Sequence, residues 1–270
     1  MRLTMDLIIE AQELEANLDN PDLLVVDVCQ PQTYARIHIP GAVHVAPGEL
    51  VCGIAPASGK LPELEQLNAL FSRIGYRPDQ HIVVYDDEGG GWAGRFIWTL
   101  DVIGHRHYSY LNGGLHAWYK EQHPVSAEPA APGSTPVNLS IDTSVIAEIP
   151  DIMNALGDDG VKIWDARSHE EFIGARLSSR RGGHIPGAVN LDWLETLDKD
   201  RNLRLLPLEV LRSKLDDLGI HEDDEIITHC QTHHRSGLTY LVAKALGHKA
   251  RGYHGSWAEW GNLDDTPVET

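Results

Sequence analysis

Short, nearly unbroken apolar runs alternate along this chain with longer stretches of helical periodicity. Leu23–Val26, Ile82–Tyr85, Val161–Trp164 and Ile226–Thr228 read as buried strands. Leu64 to Arg73, Leu208 to Leu218 and Leu238 to Leu246 place apolar residues at helical spacing. Strands that stay apolar on successive residues are buried on both faces, and strands alternating with helices form parallel sheets. The pattern therefore predicts an α/β fold, with mostly parallel sheets flanked by helices on both faces.

The pattern also repeats. Asp27 closes the first run and Asp165 closes its counterpart. His38-Ile39-Pro40-Gly41-Ala42-Val43 recurs as His184-Ile185-Pro186-Gly187-Ala188-Val189. Gly75 and Gly219 stop helices ahead of the runs ending at Asp86 and Cys230. Asn112-Gly113-Gly114-Leu115-His116-Ala117-Trp118 answers His254-Gly255-Ser256-Trp257-Ala258-Glu259-Trp260. Landmarks in one order twice over mean an internal duplication. Between the copies, Glu128–Pro136 holds three prolines and a glycine, so it sustains neither helix nor central strand. The expected division is a first domain at 1–125, a linker at 126–140 and a second domain at 141–270.

Composition narrows the class. With 270 residues and 42% hydrophobic content, the chain can build two ordinary cores. A formal net charge of −18 argues against nucleic acid or an anionic membrane as partner. No apolar run approaches a bilayer span, and the N-terminal segment Met1–Leu7 lacks the apolar core of an export signal. Three cysteines, Cys29, Cys52 and Cys230, do not form a disulfide framework, so a reducing cytoplasm is the expected compartment.

Against that acidic background, one segment concentrates basic and nucleophilic groups: His229-Cys230-Gln231-Thr232-His233-His234-Arg235-Ser236-Gly237. A strand ends in a thiol, a short loop follows, and a helix begins. Helix N-termini present unpaired N–H groups and partial positive charge, which stabilise a thiolate. Ligands in open parallel sheets bind at the carboxyl ends of strands, where Cys230 stands. Cys230 is the expected nucleophile, with Arg235, Thr232, Gln231, His233 and His234 around the substrate. The duplication places Asp86 where Cys230 stands, and a carboxylate cannot carry sulfur, so the first copy is expected to be inactive.

A thiol, a short loop and a closing arginine also suit phosphotyrosine-type phosphatases. Those use five residues between cysteine and arginine, one more than here, and the tighter loop favours a single sulfur over a tetrahedral phosphate. A cysteine beside histidines invites a zinc reading, but adjacent histidines in a turn diverge and no second cluster completes a ligand set, so no metal is expected. With those residues in view, the chain resembles the tandem-domain rhodaneses, thiosulfate:cyanide sulfurtransferases. It is similar in particular to a bacterial subgroup with a Cys-Gln-Thr-His-His-Arg loop, and Asp87–Arg95 and Trp164-Asp165-Ala166-Arg167 add to the likeness. The resemblance implies transfer of a sulfane sulfur from thiosulfate to cyanide or another thiophile through a persulfide on Cys230, with no cofactor. Alternatives within it are a persulfide carrier serving a protein donor or acceptor, and a 3-mercaptopyruvate sulfurtransferase. A monomer is expected. Several relatives carry a substrate-binding arginine four residues beyond the position of Arg167, where this chain has Glu171. That shifts the anion contact to Arg235.

Other residues read as framework. His38 and His184 recur in both copies and so belong to the fold, as do Trp118 and Trp260. Asp165 and Arg167 are expected as a buried pair, and His229 as a packed group behind the thiol. Gly89-Gly90-Gly91 follows Asp86-Asp87-Glu88 and is read as a loop carrying Trp92 over the reactive sulfur rather than as a phosphate loop. Arg176, Arg180 and Arg181 are expected on a solvated face that could extend an anion-attracting rim.

Overall fold

A computed structural model describes residues 3–270 and contains two compact units. In the first, β1 (Ile8–Ile9), β2 (Leu23–Asp27), β3 (Val43–His44), β4 (His81–Tyr85) and β5 (Tyr108–Leu111) form one sheet in the order β1-β5-β4-β2-β3. In the second, β6 (Ile146–Ala147), β7 (Val161–Asp165) and β8 (Val189–Asn190) are followed by a small pair, β9 (Leu197–Asp198) and β10 (Arg204–Leu205). Then come β11 (Glu225–His229) and β12 (Ala250–Tyr253), giving the order β6-β12-β11-β7-β8. All pairings in both five-stranded sheets are parallel. The two orders are the same once corresponding strands are matched, so the duplication seen in the landmarks is a duplication of topology.

The central strands behave as their composition predicts. All five residues of β4 are buried. Val83 and Tyr85 pack with Leu14, Leu115 and Trp118 on one face of the first sheet. Ile82 and Val84 point to the other face and are equally buried. In the second unit Ile163 and Ile227, paired in register, pack with Ile152, Trp257 and Trp260. Burying both faces this way is what drives the sheet together.

The repeated landmarks do the same work in each unit. His38 Nδ1 lies 2.7 Å from Tyr34 O and its ring stacks on Tyr34; His184 Nδ1 lies 2.9 Å from Phe172 O and stacks on Phe172. Trp118 donates its indole N–H to Pro124 O at 2.7 Å, and Trp260 donates to Pro267 O at 2.8 Å. Asp27 accepts the Cys29 N–H, and Asp165 the Arg167 N–H. Each pair closes a strand end or a turn in the same manner.

The compact units are not contiguous in sequence. Val51–Leu61 belongs to the second unit and Asp198–Leu205 to the first, while the proline-rich stretch falls with the first. That stretch is tied down by paired hydrogen bonds between His38 and Ser126, and by Leu139 N–H to Asn68 Oδ1. Arg204 pairs with Glu10 and Glu121, and Asn112 accepts the Leu205 N–H, which anchors the second exchanged segment.

Candidate active site

The apolar strand β11 ends at His229, and the helix Arg235–Ala245 begins six residues later. The periodicity expected that helix from Leu238; it starts three residues earlier, so Arg235 and Ser236 lie in its first turn. His233, at a left-handed φ of 56°, turns the loop so the chain can enter the helix. Thr228 in β11 donates its hydroxyl to Ser236 O at 3.2 Å, tying strand end to helix start. In that first turn the Ser236 N–H and hydroxyl reach the Cys230 thiol, while the Gly237 N–H returns to His234 O at 2.9 Å.

Cys230 is 1% exposed. Burial pushes its thiol up, but the Arg235 charge, the Ser236 hydroxyl and N–H, and His234 together bring it below the ordinary thiol range. The other cysteines differ. Burial and the carboxylates of Asp27, Asp87 and Asp86 drive the Cys29 thiol far upward, which makes it inert. Cys52 lies in the exchanged segment, its sulfur hydrogen-bonded to Ala57 O and the Ile54 N–H. Cys230 sits beside the Arg235 charge and the Ser236 donors, where a thiolate is stabilised.

Ser236 carries more of this than its place in the sequence suggests. Its hydroxyl reaches the thiol and also lies 2.8 Å from His233 Nδ1. His233, expected at the substrate, is fully buried, as Cys230 nearly is, with its Nδ1 on the Ser236 hydroxyl. Gln231 is likewise committed: its side chain bonds Ser178 and Ser179 at 2.6 to 3.2 Å. Thr232 packs against Gly59, where a Cβ would lie 2.2 Å from Thr232 O, so only glycine lets the exchanged segment approach. The His234 ring lies near Trp193. Arg235 is held by Glu171 through two hydrogen bonds of 2.6 and 3.0 Å.

Behind the thiol lies a buried charged layer. Arg167 pairs with both oxygens of Asp165, donates to Gly183 O at 2.8 Å and lies over Trp257. Burial pushes His229 down, toward the neutral ring, beside Asp165. Burial would raise Asp165, but the Arg167 guanidinium hydrogen-bonded to it holds it below the usual carboxylate range. The pair expected from the sequence is thus fully buried. Arg181 is also structural, donating to Trp260 O and Thr266 O.

The first unit shows what this loop design gathers. Asp86 Oδ1 accepts N–H groups from Glu88, Gly89 and Gly90 at 2.8 to 3.1 Å, and Oδ2 accepts that of Ala93 at 3.0 Å. Burial and nearby Glu88 push this carboxyl up to about 6, a rise that the N–H groups donated to it oppose. The first copy fills its own anion cradle with a side chain that cannot accept sulfur. Among the described residues, no group of three or more His, Cys, Asp or Glu side chains is arranged to hold a metal ion. No described helix is long and apolar enough to cross a membrane.

The chain is similar along almost its whole length to known proteins. The chain is 51% identical over 267 residues to a thiosulfate sulfurtransferase of Azotobacter vinelandii, covering 98% of each chain. It is 48% identical to one of Pseudomonas aeruginosa, covering 98% of this chain and 97% of that one. Among solved structures, the 3-mercaptopyruvate sulfotransferase SseA of Escherichia coli superposes with a TM-score of 0.83 at 26% identity, covering 94% of this chain and 99% of that one. The rhodanese-like domain model matches residues 10–121 and again 149–263. The chain belongs to the rhodanese-like domain family, with two copies of that domain in tandem.

Proposed function

We propose that this protein is a thiosulfate sulfurtransferase working through a persulfide on Cys230. The observation that carries the reading is the contrast between the two loops: Cys230 among Arg235 and Ser236 donors in one, a self-ligating Asp86 in the other. The close full-length relatives named for the same reaction support it.

In the first half-reaction the Cys230 thiolate attacks the outer sulfur of thiosulfate. A new S–S bond forms, the S–S bond of thiosulfate breaks, and sulfite leaves with the electron pair. Arg235 meets the incoming dianion, drawn partly away from Glu171, and the His234 and Thr232 side chains border the path. Ser236 and the helix N-terminus stabilise negative charge on the persulfide, as preorganised donors do. In the second half-reaction cyanide attacks the terminal sulfur, thiocyanate departs and the thiolate is restored. A thiol or protein acceptor would enter at the same step. Such chemistry needs no cofactor. The three free cysteines suit a reducing cytoplasm, and one copy of the chain supplies the whole candidate site.

Steady-state assays with thiosulfate and cyanide varied together test this. Parallel double-reciprocal lines, with much weaker turnover of 3-mercaptopyruvate and none of an aryl phosphate, are expected. Preference for mercaptopyruvate would transfer the assignment to that donor, and hydrolysis of the phosphate would overturn it.

A further inference from the structure

We propose that Ser256 is a positioning residue for sulfur transfer, fixing the Cys230 peptide so that the thiol meets the Ser236 donors; this rests on the sulfurtransferase reading above. Ser256 is fully buried and adopts a φ of 53°, a left-handed conformation that residues with a Cβ rarely take. Its Oγ accepts the Cys230 N–H at 3.3 Å and donates to Tyr253 O at 2.8 Å. The next two residues hold the two peptides that follow: Trp257 N–H donates to Cys230 O and Ala258 N–H to Gln231 O, each at 2.9 Å. The nucleophile is gripped at both its N–H and its carbonyl. With hydrogen bonds on the peptide before its Cα and on the peptide after it, the direction of the Cys230 Cα–Cβ bond is constrained.

The duplicated unit supplies the control. Gly114 stands where Ser256 stands, at a φ of 52°, and Leu115 N–H donates to Asp86 O at 2.9 Å. The backbone bond to the carbonyl of the residue after the strand is therefore common to both copies. A Cβ on Gly114 would lie 2.3 Å from Asp86 O, so the first unit has glycine and no hydroxyl. Only the copy with a cysteine keeps a strained serine there. Strain of this kind persists where the surroundings enforce it, and it gathers at functional sites. Glycine would satisfy the backbone more easily; what serine adds is an acceptor for the N–H of the nucleophile.

The test compares Ser256→Gly and Ser256→Ala in the full-length protein. Both lose the hydroxyl, but glycine adopts the left-handed backbone freely, so Ser256→Gly melts at a higher temperature than Ser256→Ala. Both variants are expected to lose kcat by about tenfold, the scale on which a misplaced nucleophile slows chemistry. KM for thiosulfate stays within about twofold, because Ser256 acts through Cys230. The thiolate ultraviolet absorbance of Cys230 appears at higher pH in both. Parental kcat and titration in Ser256→Gly would overturn the proposal, as would losses that follow the melting temperatures. Should Ser256→Ala fail to fold, Ser256→Gly alone decides. A parent protein that takes no sulfur from thiosulfate would defeat the sulfurtransferase reading, while the thiolate titration would still judge the positioning role.

Discussion

Glu171 holds Arg235 by both of its guanidinium Nη atoms, at 2.6 and 3.0 Å, directly beside the loop that carries Cys230. The carboxylate is 5% exposed, and Arg235 keeps it below the usual range although burial opposes this. A bidentate pair of this kind is the strong form of an ion pair. On the proposed function, an anionic donor competes with Glu171 for the same cation.

Glu171→Gln is expected to lower KM for thiosulfate by about threefold or more, since Arg235 is then free for the dianion. The gain shrinks as salt rises. The Cys230 thiol also deprotonates at lower pH, because the guanidinium field is no longer shared. Initial-rate kinetics over a salt series, with a thiolate titration, check both. An unchanged or higher KM would mean that Arg235 does not receive the donor.

Removal of the Ser236 hydroxyl has the opposite effect on the thiol. In Ser236→Ala the sulfur loses a donor that favours its charged form, so the Cys230 pKa moves up. A hydrogen bond to a charged group is typically worth enough to slow sulfur loading by about 10- to 100-fold at neutral pH. The sign is definite: activity is lost on the acid side, where thiolate is protonated, and part of it returns as pH rises. Stopped-flow loading rates across pH would reveal this limb.

Asp86 accepts four N–H groups in the first unit, and truncating it strands buried donors. Asp86→Ala should cost about 3 kcal/mol or more of stability, seen in urea unfolding. Alkylation of Cys230 in the folded protein should proceed at the parental rate. Full stability in this variant would contradict the reading of Asp86 as the acceptor that holds its own loop.

Glu148 secures the exchanged segment that touches Thr232. It pairs with Lys60 and His254, and His254 Nδ1 accepts the Leu61 N–H. Burial would raise the Glu148 carboxyl, but His254 and Lys60 bring it from the ordinary 4.5 down to about 2. A depressed carboxyl contributes stability that is complete above its unfolded pKa and vanishes as pH falls toward the folded one. Its contribution is therefore present above about pH 4.5 and lost toward about pH 2. In Glu148→Gln, unfolding midpoints should fall less between about pH 5 and about pH 3 than in the parent. Equal pH dependence would show that this pair contributes nothing.

The strands, the duplication and the thiol were legible because each leaves a local mark: apolar runs, recurring His-Ile-Pro-Gly-Ala segments, a cysteine at a strand end. Other parts depend on tertiary contacts. Glu171 was visible as an unexpected acid, but not its grip on Arg235, sixty-four residues away in sequence. His233 is legible as a basic residue near the thiol, but its left-handed φ and its contact with Ser236 leave no mark in the sequence. Ser236 was hidden because the helix starts earlier than its apolar periodicity. The exchange of Val51–Leu61 carries no periodic signal at all. Ser256 did leave a trace, in its alignment with Gly114, but only the shared positive φ gives that difference meaning.

The central claim is that Cys230 carries a transferable sulfur. Intact-mass measurement of the whole protein after incubation with thiosulfate tests it most directly, in parallel with Cys230→Ala and with a cyanide chase. The account predicts a gain of one sulfur atom in the parent, removed by cyanide, and none in the variant. A sulfur adduct that persists in Cys230→Ala, or no adduct in a parent that still forms thiocyanate, would contradict it.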